Sequence, residues 1–322
     1  MKGKRRLKKK PIIILVLLII LTVVGITFTK KTIEELNYRK TIEYKLLQAG
    51  YKENEIELLK DKTDEEFMNS LLDIEYDEMY LEILKEKYYI KSNLRKYIDY
   101  YEEHLNSKTY DIVSIVNTHR DKDFYSEILK SDTSKNYLII NNKYYKLDEK
   151  YVPQNLVKVT VQHAYGNDNK LVSVVYDAFK QMFTDAKKEN ITLIINSSYR
   201  SYKEQEEIYN DYLKKHGQEY ADKYAARPGH SEHQTGLAID ITTYGVSGDT
   251  FDQSKAFKWL QDNAYKYGFI LRYPKDKEKI TGYNYESWHY RYVGVETATK
   301  LRNENITYDE YYAYYIENVP SK

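Results

Sequence analysis

RPGHSEHQTGLAIDI, residues 227–241, reads as a Pro-Gly loop running into a short strand. Strand parity puts Leu237, Ile239 and Ile241 on one face and Ala238, Asp240 and Thr242 on the other. The aliphatic face asks for a core, and Asp240 points away from it, because an unpaired carboxylate in apolar surroundings is costly. His233 stands in the loop, so the stretch offers one neutral nitrogen and one anionic oxygen, both suited to Zn²⁺. His230-x-x-His233 resembles half of a helical metal signature, but it follows Pro228-Gly229, where a helix is disfavoured. The spacing between His233 and Asp240 is a weak signal by itself.

A second segment, YESWHYRYV at 285–293, strengthens it. His289 supplies another nitrogen, three protein ligands leave a fourth zinc position for water, and Glu286 is placed as general base beside that water. In a straight strand Glu286 and His289 would face opposite ways, so the pair converges only if the chain bends between them.

Upstream, Leu171, Val174, Val175, Ala178, Phe179, Met182, Phe183 and Ala186 keep an i, i+3, i+4 spacing that predicts a core-packed helix. A buried strand is expected over Ile191–Ile195, and Ser201-x-x-Glu204 is a capping box that opens a helix ending at Gly217. Arg200 then sits at a strand-to-helix junction, beside the partly positive end of that helix. Further on come a helix through Phe257, Leu260 and Ala264, strands near Phe269–Tyr273 and Trp288–Val293, and two short Tyr-rich helices. The expectation is an α+β domain over 151–322 with a small, mainly antiparallel sheet flanked by helices.

Ser231-x-His233-x-x-Gly236-x-Ala238-x-Asp240, followed by Glu286-x-Trp288-His289-x-Arg291 and preceded by Tyr199-Arg200-Ser201 with Gln205, resembles the VanY-type D-alanyl-D-alanine carboxypeptidases. These are zinc peptidases related to VanX and to the lysostaphin and hedgehog-like folds. The resemblance covers about residues 150–300. It implies His233, Asp240 and His289 as zinc ligands, Glu286 as catalytic base, Arg200 as the group polarising the substrate carbonyl, and Ser231 and Gln205 as substrate contacts. The implied reaction is hydrolysis of the terminal D-Ala from peptidoglycan stem peptides. An L,D-carboxypeptidase acting on tetrapeptide stems would use the same metal site. A silent cell-wall-binding or sensory ectodomain would be expected to lack a ligand or the base, and neither is missing. Trp288 and Arg291 are expected to orient the ligand strand, with Arg291 pairing a carboxylate. His230 is expected at a loop or pocket rim, and His104, His119, His163 and His216 as solvated or capping residues.

The remainder of the chain bears on location. Of 50 basic and 49 acidic residues, seven basic ones lie in the first ten, MKGKRRLKKK, which leaves −6 for the other 312. An acidic body argues against nucleic acid as a partner. There is no cysteine, which excludes thiol nucleophiles and Cys-ligated zinc. Residues 12–29 carry no charge and at ~1.5 Å per residue extend about 27 Å, close to the roughly 30 Å of a bilayer core. The first alanine is Ala49, so no small-residue cleavage site follows, and the segment is read as a retained transmembrane anchor in membrane lipid. The basic excess before it places residues 1–11 in the cytoplasm and the later chain outside. Residues 30–135 read as an α-helical stalk, with a capping box at Thr63-x-x-Glu66, and 136–150 as a hairpin linker turning at Asn141-Asn142.

Overall fold

The computed structural model describes residues 9–246 and 248–318, so the basic tip lies outside the described residues up to residue 8. The chain divides into two compact units, 1–94 and 95–322.

In the first unit the apolar stretch forms one helix, Lys9–Tyr38, which continues beyond the expected 12–29 span. Its described aliphatic side chains, from Ile14 through Phe28, are exposed. Among the described residues this is the one helix long and apolar enough to cross a membrane. Four short helices follow, Ile42–Gln48, Glu53–Lys62, Glu65–Ser70 and Glu78–Lys85. They bury Leu46, Leu59, Phe67, Leu71 and Leu81. The expected cap at Thr63 is displaced by one residue. Asp64 accepts the Phe67 amide at 2.7 Å, while the buried Thr63 hydroxyl donates back to Leu59 O at 2.6 Å.

The second unit contains a parallel pair, β1 (Leu129–Lys130) with β2 (Tyr145–Lys146), and an antiparallel pair, β3 (Leu156–Lys158) with β4 (Lys170–Val172). Its main sheet is antiparallel and runs in the order β5 (Ile194–Ser197), β6 (Ala238–Thr242), β8 (His289–Tyr292), β7 (Phe269–Leu271). Asp240 pairs directly with His289, and Ile239 with Tyr290. The expected parity holds. Ile239, Ile241, Tyr290 and Tyr292 join the core under the helices Ser173–Lys188 and Lys255–Asn263, with Phe179, Phe183, Phe257 and Leu260, while Asp240 and His289 share the opposite face. The Ser173–Lys188 helix starts later than its apolar spacing suggested: Leu171 belongs to β4, and Val174 is 43% exposed. The capping box at Ser201 opens the helix Tyr202–His216 as expected.

The second compact unit takes in Arg95 and the residues up to 150, and the 136–150 hairpin does not form. Thr133–Leu138 is a 3-10 turn, and Tyr145–Lys146 pairs in parallel with β1. The two asparagines are drawn into the interior. Asn142 Oδ1 accepts the amides of Tyr144 and Tyr145, and Asn141 Nδ2 donates to Ser231 O at 2.8 Å. Arg291 Nη2 donates to Tyr137 O and Ile139 O, at 3.1 and 2.5 Å. Farther out, His119 lies 3.1 Å from Glu317, and Ser114 Oγ donates to Glu310 at 2.8 Å. His163, expected at the surface, is 7% exposed, with its ring 4.6 Å from that of Phe183.

Candidate metal centre and active site

The Pro-Gly loop gives way to a 3-10 turn, Glu232–Thr235, that ends at Gly236 in the left-handed region (φ 67°). This turn faces His233 toward the open side of the sheet. Its Nδ1 donates to Ser198 O at 2.7 Å, which leaves the Nε2 lone pair 3.5 Å from Asp240 Oδ1. Across the ladder, His289 Nε2 faces Glu232 Oε2 at 3.4 Å, and Nδ1 lies 3.2 Å from the same Asp240 oxygen. Each ring thus has one nitrogen occupied by a fixed acceptor and the other aimed at Asp240, the arrangement that orients metal-ligating histidines.

Asp240 Oδ1 is buried and accepts no hydrogen bond. The three ligating atoms lie within 4.8 Å of one another. A tetrahedral zinc with ligands about 2.0–2.1 Å away holds its donors roughly 3.3 Å apart, and the 3.2 and 3.5 Å separations match that edge. The electrostatics agree. Burial disfavours a charged His289, yet Asp240 and Glu232 raise it to about 9, a sign of the negative potential at the ring. Burial would also raise Asp240, but the two histidines hold its carboxyl well below the usual range. A divalent cation satisfies the same field.

Glu286 precedes β8, and a turn through Ser287 and Trp288 brings its Oε2 3.6 Å from His289 Nδ1. This is the bend that the spacing required. Burial pushes the Glu286 carboxyl up to about 7, against the pull of His289, which suits a group that takes and returns a proton near neutrality. Arg200 Nη1 donates to Gln205 Oε1 at 2.7 Å and Nη2 to Ser197 Oγ at 3.1 Å, while Gln205 Nε2 is spent on Ala226 O at 2.7 Å. One cavity of about 240 Å³ is lined by all seven residues singled out in the sequence, Arg200, Gln205, Ser231, His233, Asp240, Glu286 and His289.

Behind the ligands Arg291 pairs a carboxylate as expected, and that carboxylate is Glu232, which the sequence analysis did not single out, nor its second partner Arg272. Glu232 is fully buried, with Oε1 accepting from Arg272 Nε at 2.8 Å and Arg291 Nη1 at 2.9 Å. Burial alone would raise its carboxyl, but the two guanidinium groups hold it well below the usual range. The arginine inside the apolar run FILRY, 269–273, was the available signal for a buried anion. Tyr273, whose ring lies 4.9 Å from that of His289, and Tyr283 complete the wall. His230 is not at the rim: its Nδ1 donates to Asn142 O at 2.8 Å, and it is 3% exposed.

The segment that carries this site resembles known proteins. Residues 168–295 match the family model for VanY, D-alanyl-D-alanine carboxypeptidase. The putative carboxypeptidase YodJ of Bacillus subtilis (strain 168) is 40% identical over 204 residues, covering 59% of this chain and 74% of the relative. The solved LdcB LD-carboxypeptidase superposes with a TM-score of 0.55 at 40% identity, over 58% of this chain and 90% of that one. A VanY D,D-pentapeptidase solved with Zn(II) shares 32% identity over 54% of this chain and 98% of that one, with a TM-score of 0.48.

Proposed function

This chain belongs to the VanY D-alanyl-D-alanine carboxypeptidase family, and we propose that it is a membrane-anchored zinc enzyme that removes the terminal D-Ala from peptidoglycan stem peptides. The observation that carries this reading is the convergence of His233, Asp240 and His289 beside a buried, proton-accepting Glu286 in one cavity with Arg200. His233 Nε2, Asp240 Oδ1 and His289 Nδ1 would hold the metal. Zn²⁺ bound there would supply Lewis acidity, of the kind that makes water acidic near neutral pH.

Glu286 takes the proton of the attacking water and delivers it to the departing amine of D-Ala, so one carboxyl serves as base and then acid. Arg200, its fork fixed by Gln205 and Ser197, places a positive charge over the cavity where negative charge develops or a terminal carboxylate docks. Gln205 acts through Arg200, since both ends of its amide are engaged. Ser231 lines the substrate side.

The likeness to an LD-carboxypeptidase favours a second reading, cleavage of tetrapeptide stems by the same residues. Incubating the purified full chain with penta- and tetrapeptide stems, with and without chelator, and weighing the products by mass spectrometry separates the two. Chelator-sensitive loss of one alanine from the pentapeptide is expected. Loss from the tetrapeptide alone would establish the L,D reading, and no loss from either would refute both.

The apolar helix Lys9–Tyr38 supports anchoring, with the cationic tip on the cytoplasmic side and the catalytic unit outside. Fractionation of cells followed by an alkaline wash tests it: the chain is expected to stay in the membrane pellet, and recovery of a shortened soluble form would show cleavage instead.

A further inference from the structure

The hydrogen bonds behind His289 do not stop at Glu232. Arg291, one of the two cations on Glu232, spends its other donors on backbone carbonyls of Tyr137, Ile139 and Tyr292. Arg272 is held differently. Its Nη1 and Nη2 donate to Asp309 Oδ2 and Oδ1, at 2.5 and 3.0 Å, and Asp309 Oδ1 also accepts from Asn142 Nδ2 at 2.8 Å. Arg272 and Arg291 are fully buried, and Asp309 is 3% exposed. A relay thus runs from Asn142 through Asp309, Arg272 and Glu232 to His289. Both outer members lie beyond the 168–295 segment that matches the family model.

We propose that Asp309, anchored by Asn142, is a positioning residue for the metal centre, acting through Arg272 and Glu232 on the ring of His289. The proposal rests on the zinc reading given above. The reason is one of donors and acceptors. Arg272 carries a rigid fork of N–H groups and sits where no water reaches them. With Asp309 present, Glu232 Oε1 serves the two arginines, and Oε2 is left for His289 Nε2. Without it, the fork has two unpaired buried donors, and the remaining acceptor of the cluster is the Oε2 that fixes the His289 ring. Charge points the same way. Asp309 and Glu232 balance Arg272 and Arg291, and removing one carboxylate leaves a buried excess cation behind a cation site.

The test measures zinc affinity of the full chain in detergent micelles by competition with a chromophoric chelator, alongside kcat, KM and the melting midpoint. Asp309→Asn is expected to weaken zinc binding several-fold, less than the roughly 10–100-fold typical for direct partners of ligating residues, and to lower kcat at saturating zinc with KM nearly unchanged. Glu310→Gln is the structural control. Glu310 is as deeply buried on the next residue, but it is tied to Tyr110 and Ser114 rather than to the relay. Its variant is expected to melt earlier and to bind zinc as the parent does. Asn142→Ala removes the anchor from its outer end and carries the test should Asp309→Asn not fold; a several-fold loss of affinity is expected. Parental zinc affinity in a folded Asp309→Asn, or in Asn142→Ala where that variant carries the test, overturns the proposal, as does an equal loss in Glu310→Gln. A parent chain that binds no zinc overturns the zinc reading and this proposal together.

Discussion

Glu286 and His289 stand three residues apart in the chain and 3.6 Å apart in space, with the carboxylate turned to the ligating face of the imidazole. That placement sets the carboxylate at the edge of the His233, Asp240 and His289 cluster, where a base would be needed. Glu286→Gln keeps the shape and removes the base, so kcat on a stem peptide is expected to fall by about 10²–10⁴. Chelator competition is expected to find zinc binding retained. Turnover at the parental rate would remove Glu286 from the mechanism.

Asp240 brings a buried, unpaired oxygen between two imidazoles, so the folded state gains from a cation that the unfolded chain lacks a site for. At free zinc a thousandfold above the dissociation constant this gain is about 4 kcal/mol. Chelation is therefore expected to lower the melting midpoint of the full chain, and Asp240→Ala to remove the difference between the zinc-loaded and chelated samples. Calorimetry with and without zinc reads both.

His230 sets an acid limit on stability. Burial, opposed by its bond to Asn142 O, lowers its pKa from 6.5 to about 4. The unfolded chain then binds more protons than the folded one between those values, so stability is full above about pH 6.5 and is lost as the pH falls toward 4. The loss from this residue is roughly 3 kcal/mol. His230→Asn retains a donor for Asn142 O without the titration. Urea unfolding from pH 7 to pH 4 is expected to show a shallower decline for the variant; parallel curves would assign the acid sensitivity elsewhere.

Gly229 lies at φ +86°, and a Cβ there would meet Leu147 O at 2.9 Å and Lys146 Cε at 2.8 Å. The same glycine accepts the Leu147 amide at 2.8 Å, which joins the loop bearing Ser231 and His233 to β2. Gly229→Ala is expected to cost on the order of 2 kcal/mol, or roughly 4–8 °C in melting midpoint. It should also reduce kcat, because the loop cannot keep its place. A melting curve unchanged from the parent would contradict this account.

What was legible in the sequence was local. The parity of Leu237–Thr242 put Asp240 on the correct face, the Ser201 capping box placed Arg200, and the spacing of Glu286 and His289 set the condition, a bend between them, that the chain meets. Errors arose where distant contacts override a local pattern. Asn141 and Asn142 carry the signature of a hairpin turn, yet their side chains are committed to Ser231 and Asp309, 90 and 167 residues away. Leu171 fits a helical stripe by spacing but lies in β4. Glu232 and Arg272 form one buried pair from residues 40 apart, and a single chain carries no mark of which charges will meet. Residues 95–135 read like the helices before them, and long-range partners such as Glu310 and Glu317 group them with the second unit.

Those partners also set an order of events. Ser114 meets Glu310 across 196 residues of chain, and His119 meets Glu317 across 198. A polypeptide made from its N-terminus must leave the helix Thr109–Asn117 without these contacts until the last turns of the unit have been synthesised. The unit therefore completes these contacts only once its C-terminal residues are available. During that interval the unfinished chain already holds all three ligands but not yet Asp309, which backs them through Arg272 and Glu232.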